Sequence, residues 1–126
     1  MLLDKDTDGL EYLRWSMFDS PDKKGSGFRF MERQPVLILD NIVAEKKMIL
    51  NIELGYCSES YANKIFLPTM DSHRIGKAVR LRVVSAAKKY DLISSLIVRG
   101  VSRIGVGGKT IYFDTDDQKP RGIFLW

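Results

Sequence analysis

The chain has 126 residues, 44% of them hydrophobic and 29% charged, with a net charge of +4. That length makes one domain with one core, and the composition is ordinary for a globular protein. No apolar run approaches the roughly 20 residues of a membrane span, Met1-Leu2-Leu3-Asp4-Lys5-Asp6 lacks the basic-then-apolar layout of a secretory signal, and the single cysteine, Cys57, excludes an internal disulfide. Lysines and arginines are scattered, with basic doublets only at 23–24, 46–47 and 88–89. Nucleic-acid binding would favour a basic stripe interleaved with exposed aromatics, and none is present. The mild positive charge leaves room for loose attraction to anionic polymers such as those of a cell wall.

In chain order, Leu10 to Phe18 mixes aromatics and charges and reads as a short helix or strand. Residues 19–27 form a loop by composition. Arg33 to Lys47 reads as a helix, with Pro35 in its first turn and Val36, Leu39, Ile42 and Val43 on one face. Met48 to Leu54 is a strand, Ser58 to Lys64 a helical turn, and Ile65 to Ser72 a connecting loop holding Pro68. Ala78 to Val84 alternates as a strand, Ala78, Arg80, Arg82 and Val84 to one side, Val79, Leu81 and Val83 to the other. Ser85 is an N-cap. The helix after it is expected to bury Ala86, Tyr90, Ile93, Ile97 and Leu96, and Gly100 stands where a helix C′ glycine belongs. Arg103–Val106 and Lys109–Asp114 read as strands joined by a hairpin turn at Gly107-Gly108. Gly122 to Trp126 adds a short strand. The whole reads as α+β, a single domain with a mainly antiparallel sheet and flanking helices.

One ordered series of motifs stands out. Phe18-Asp19-Ser20-Pro21-Asp22-Lys23-Lys24-Gly25-Ser26-Gly27 opens it, and Leu54-Gly55-Tyr56-Cys57-Ser58 follows, with Asn63 after it. Next come Ser72-His73-Arg74-Ile75-Gly76-Lys77-Ala78-Val79-Arg80 and Arg103-Ile104-Gly105-Val106. Lys109-Thr110-Ile111-Tyr112-Phe113-Asp114 and Asp116-Asp117-Gln118-Lys119-Pro120 complete it. This layout resembles the zinc D-alanyl-D-alanine carboxypeptidase and endolysin peptidases of bacteria and phages, above all the small phage-type members. That family reads S-x-H-x-x-G-x-A-x-D, then R-I-G, then D/E-x-x-H-x-D. The resemblance spans the chain from about Met17, so residues 1–16 are expected as an amino-terminal extension and 17–126 as a peptidase-like domain. It implies the D-Ala-D-Ala carboxypeptidase (hedgehog-type) fold.

The resemblance does not carry the chemistry with it. His73 is the only metal-ligand position retained. The aspartate ligand has become Arg80, the second histidine Tyr112, the general-base carboxylate Lys109, and the arginine that holds the substrate carboxylate Cys57. A catalytic zinc needs three ligands that offer lone pairs; a guanidinium has none and stays charged. Tyr112 would ligate only as phenolate, and Lys109 cannot take a proton from water while cationic. No catalytic residue, zinc or other cofactor is therefore expected.

His73 then reads as a structural relic and Cys57 as a small buried residue. A Cys57–His73 thiol hydrolase lacks an orienting third group. Arg80 and Lys109 are expected to replace the zinc charge by pairing with Asp71, Glu59 or Asp114. Trp15, Phe18, Phe28, Phe30 and Trp126 read as core and edge packing. The family context implies a structural or binding role, such as a phage capsid, tail or baseplate subunit in the virion or host cytoplasm. Its partners would be other structural subunits, further copies of the chain or peptidoglycan peptides, with no membrane and no nucleic acid. The alternative is an active peptidoglycan peptidase holding zinc through His73 with Asp71, Asp114 or Asp116.

Overall fold

The computed structural model describes residues 5–64 and 70–125. Pro68, Trp126 and the first four residues lie outside that range, as do the side chains of Met70 and Asp71. Within it are two 3-10 turns (Lys5–Thr7 and Trp15–Phe18) and five α-helices, α1 (Ser26–Phe30), α2 (Arg33–Lys46), α3 (Glu59–Ala62), α4 (Met70–Arg74) and α5 (Ala86–Val98). Five strands, β1 (Ile52–Leu54), β2 (Ala78–Arg82), β3 (Arg103–Val106), β4 (Thr110–Asp114) and β5 (Gly122–Leu125), form one sheet in the order β1-β2-β4-β3-β5. Only the β3–β5 pair is parallel. The chain is thus a small single-domain α+β protein with a mixed, mainly antiparallel sheet.

The sheet has two unlike faces, because alternate residues along a strand point to opposite sides. Val79 and Leu81 of β2, Ile104 of β3, and Ile111 and Phe113 of β4 enter the core. They meet Val36, Leu39 and Ile42 of α2 and Leu92 and Leu96 of α5. The other face carries Arg80, Arg103, Tyr112 and Asp114, which pair across the strands as Arg80 with Tyr112 and Arg103 with Asp114. One side of the sheet builds the core and the other gathers the polar groups.

Helix α2 matches its expected span to within one residue; Lys47, in the left-handed region, closes it by donating its N–H to the Val43 carbonyl at 2.9 Å. Ser85 caps α5 by accepting from the Lys88 N–H. The face of α5 differs from the expected one. Leu92, Ser95 and Leu96 are buried, whereas Tyr90 is 72% exposed and Ile97 50% exposed. The helix is turned by one residue, roughly 100°. The turn brings Lys89 onto the same side, where its ammonium donates to the carbonyls of Gly107 (2.8 Å) and Gly108 (2.6 Å).

That clamp holds the β3–β4 hairpin, whose register also departs from expectation. Gly107 pairs with Thr110, so the turn residues are Gly108 and Lys109 rather than Gly107 and Gly108. Moving the turn by one residue moves the cross-strand register by two. Arg103 consequently lies opposite Asp114, not opposite Tyr112.

Three further expectations are corrected. The strand read as Met48 to Leu54 pairs only over Ile52–Leu54, with an irregular register against β2. The loop read from Ile65 to Ser72 contains the start of α4, so His73 stands on a helix. The loop at 19–27 ends in α1. Its opening motif is tied together by side chains: Asp19 accepts from the N–H groups of Gly25 and Gly27, and the Ser26 hydroxyl accepts from the Ser20 N–H.

The stretch 1–16, where described, packs against the domain. Leu10, Leu13 and Trp15 belong to the core. The buried carboxylate of Asp40 on α2 accepts from the N–H groups of Glu11, Tyr12 and Leu13, each at 2.9 Å. A carboxylate that satisfies three backbone donors fixes the segment's path while leaving no buried N–H unpaired there.

Gly76 sets the route from α4 into β2. Its φ is +74°, and a Cβ there would lie 2.0 Å from the Phe30 carbonyl oxygen. Gly76→Ala should destabilise the fold by roughly 2 kcal/mol or more, through strain and the loss of this close approach. Urea unfolding with an unchanged midpoint would contradict that account.

Candidate functional site

The polar face of the sheet gathers most of the singled-out residues, and His73 is its centre. The imidazole is fully buried beneath α4. Its Nδ1 lies 2.8 Å from the Gly55 carbonyl, so this nitrogen carries the proton and donates it. Nε2 is buried and accepts no hydrogen bond among the described residues. The ring packs edge-on to Tyr112, centroids 5.5 Å apart. Burial lowers the His73 pKa to about 4; Gly55 and Asp114 oppose that shift, and the Arg80 charge adds to it. The ring is neutral at pH 7.

Arg80 stands directly across from Tyr112 on the neighbouring strand. Its expected partners were Asp71, Glu59 and Asp114, but the observed one is Glu53 of β1, with Nε 3.4 Å from Oε1. Nε is buried and off the line of a hydrogen bond, so the attraction is Coulombic. Glu59 pairs instead with Arg74, and the Asp71 side chain is outside the described residues. Lys109 is at the exposed tip of the hairpin turn. It is a surface cation, not a member of a buried pair, because the register places it there.

Asp114 is fully buried and its oxygens are filled. Oδ1 accepts from Arg103 Nε at 2.9 Å and from the Asp116 N–H at 3.0 Å. Oδ2 accepts from Arg103 Nε at 3.0 Å and from the Tyr112 hydroxyl. Burial and then Asp114 push the Tyr112 phenol well above its ordinary pKa, so it remains a protonated donor. Arg103 also donates to the Pro120 carbonyl. Beside this cluster the Ser72 hydroxyl donates to Asp116 at 3.1 Å and accepts from Lys119 at 2.9 Å.

Cys57 and His73 do approach each other, through the main chain: the Cys57 N–H donates to the His73 carbonyl at 3.2 Å. The thiol is buried against the Ser58 carbonyl. Burial and the nearby Asp22 charge push its pKa up, away from the thiolate a nucleophile needs. Asp22 accepts from the hydroxyls of Ser20 and Ser58, which hold its carboxyl below its ordinary pKa. Of the aromatics, Trp15 and Phe18 are core residues, while Phe28 and Phe30 are half-exposed and pack on Trp15 and Tyr56.

These donors do not suit a catalytic zinc. His73 Nε2 offers one lone pair, Arg80 offers a positive charge, Tyr112 is held as a phenol, and both Asp114 oxygens are engaged. Among the described residues no group of three His, Cys, Asp or Glu side chains stands close enough to hold a metal ion.

Sequence reasoning missed Glu53, Arg103, Ser72 and Lys119 as partners. Arg103 was recoverable once the hairpin register was known, since it fixes the cross-strand pair. Nothing in the sequence marked Glu53, whose partner is on another strand at an irregularity.

His73 is the only histidine, so its imidazole signals report one group. Its pKa falls on folding, so the stability this neutral ring supplies is complete above about pH 6.5 and drains away as the pH drops toward 4. The loss is about 3 kcal/mol for the fully buried ring. Stability profiles of the wild type and His73→Asn should therefore diverge over that window, and Arg80→Met should raise the His73 pKa measured by NMR. Separately, Asp114→Asn leaves Arg103 buried without its charge partner and should lower stability by roughly 3 kcal/mol, measured by chemical denaturation.

No family model, curated protein or solved structure matches this chain.

Proposed function

We propose that this chain is a catalytically inactive relative of the zinc D-alanyl-D-alanine carboxypeptidase and endolysin peptidases, kept as a structural or binding protein. The observation that carries this reading is the convergence of His73, Arg80 and Tyr112. The resemblance assigns these residues to the three metal-ligand positions. In the fold, Tyr112 lies edge-on to the His73 ring and directly across from Arg80, and the Arg80 charge acts on His73. Tyr112 follows Arg80 by 32 residues and His73 by 39, yet it meets both, and together the three present one lone pair, one phenol and one cation. A dication about 4 Å from the guanidinium would meet several kcal/mol of repulsion even in a generous dielectric.

The network that fills the spot supports a structural role. Glu53 pairs with Arg80, while Asp114 takes up Tyr112 and Arg103, so the charges on this face have partners within the chain. Peptide hydrolysis needs a carboxylate within reach of a metal-bound water; the residue assigned to that task, Lys109, is a cation on the hairpin tip. The role that remains is docking, on other subunits of a phage capsid, tail or baseplate, on further copies of the chain, or on peptidoglycan peptides.

The competing reading is an active peptidase using His73 Nε2 as a ligand, and it draws support from the empty lone pair there. The test separates the two. Protein purified with zinc in every buffer and then desalted should carry substoichiometric zinc, show no thermal shift on zinc addition, and release no D-alanine from peptides ending in D-alanyl-D-alanine. One equivalent of bound zinc with D-alanine release would establish the competing reading.

A further inference from the structure

Away from the His73 face, a groove of about 340 Å³ opens between residues 48–51, the end of β2 and the start of α5. It exists because the expected strand from Met48 pairs only from Ile52 onward, so residues 48–51 and 82–85 splay apart beyond the Arg82 N–H to Asn51 carbonyl bond. Its walls are apolar: Met48, Leu50, Val83 and Leu92, with Ile49 and Val84 at the mouth. Those last two are 89% and 62% exposed, apolar surface that nothing among the described residues covers.

The lining also contains two cations, Arg82 and Lys88, and no acidic residue. Neither cation has a carboxylate within ion-pair distance among the described residues, so both are open to an anionic ligand. Ser85, the N-cap of the 13-residue α5, lies in the same lining, so the positive end of that helix adds to the field.

We propose that this groove binds a free acyl-chain carboxylate: the tail lies along Met48, Leu50 and Val84, over the buried Val83 and Leu92, and the head group pairs with Arg82 and Lys88. The volume is within the range of small-ligand sites, which are mostly apolar with a few placed polar groups. Charge selects the head group, because a cationic amphiphile would meet two like charges and an uncharged one would gain no ion pair there.

The experiment is an amide NMR titration of the full chain with decanoate below its micelle concentration, run beside acetate and decyltrimethylammonium. Decanoate should shift the amides of Leu50, Val84, Lys88 and Leu92 saturably, while acetate and the cationic amphiphile should not. Arg82→Glu with Lys88→Glu, both on exposed positions, should weaken decanoate binding about tenfold or more with a melting temperature close to the wild type. As a second probe, Leu50→Lys should abolish binding with the cations intact. Equal binding of the cationic amphiphile, shifts spread over the exposed Ile123 and Leu125 of β5, or an absence of saturation would each overturn the proposal. So would an acidic apolar peptide that occupies the groove when decanoate does not.

Discussion

The polar half of this protein is organised by one carboxylate. Asp114 is sealed from water, and a buried charge without partners is unstable by many kcal/mol. Its two oxygens are therefore tied to three donors: the Arg103 Nε–H, shared between them, the Tyr112 hydroxyl and the Asp116 N–H. Through Arg103 the constraint reaches the Pro120 carbonyl and the Phe124 ring. Through Asp116 it reaches Ser72, and so the helix that carries His73. Strand β4, the carboxy-terminal strand and α4 are held in register by requirements that radiate from one side chain.

The same accounting explains the state of His73. An imidazole can be buried if it stays neutral and spends its proton well, and Nδ1 does so on the Gly55 carbonyl. The nearby Arg80 charge makes the protonated form still less favourable, and Glu53 keeps that charge tolerable. Each of these groups takes its character from neighbours brought together by the sheet. A lone pair, a phenol, a cation and a saturated carboxylate share one face, and their sum is a packed polar cluster with little capacity left for exchangeable chemistry. The unfilled Nε2 is the exception, and it accounts for the chemistry that His73 would still support if a third and second ligand stood nearby.

Local signals in the chain were read well where the physics is local. The α2 span, its apolar face, the Ser85 cap, the Gly100 terminus and the alternation of β2 follow from side-chain period and capping chemistry. Errors occurred where one residue's shift decides the outcome. A turn at Gly108-Lys109 instead of Gly107-Gly108 exchanges the partner of Arg103. A one-residue rotation of α5 keeps Leu96 in the core but exchanges Tyr90 and Ile97 for Leu92 and Ser95 among its buried residues. Both shifts meet at Lys89, whose ammonium binds the two glycine carbonyls; no periodicity encodes a lysine that reaches from a helix to a hairpin.

By itself the sequence determined an α+β domain, the order of its strands and its two long helices, and the residue types available for chemistry, because these depend on period, caps and functional groups alone. That Arg80 offers a cation and no lone pair was likewise legible there, since a guanidinium keeps its charge in any fold. Only the tertiary structure decided who pairs with whom. Glu53 meets Arg80, Arg103 meets Asp114, Asp40 holds the backbone of residues 11–13, and Lys109 is sent out to solvent. Those outcomes depend on register and helix rotation, which are set by the packing of the whole core and not by any segment within it.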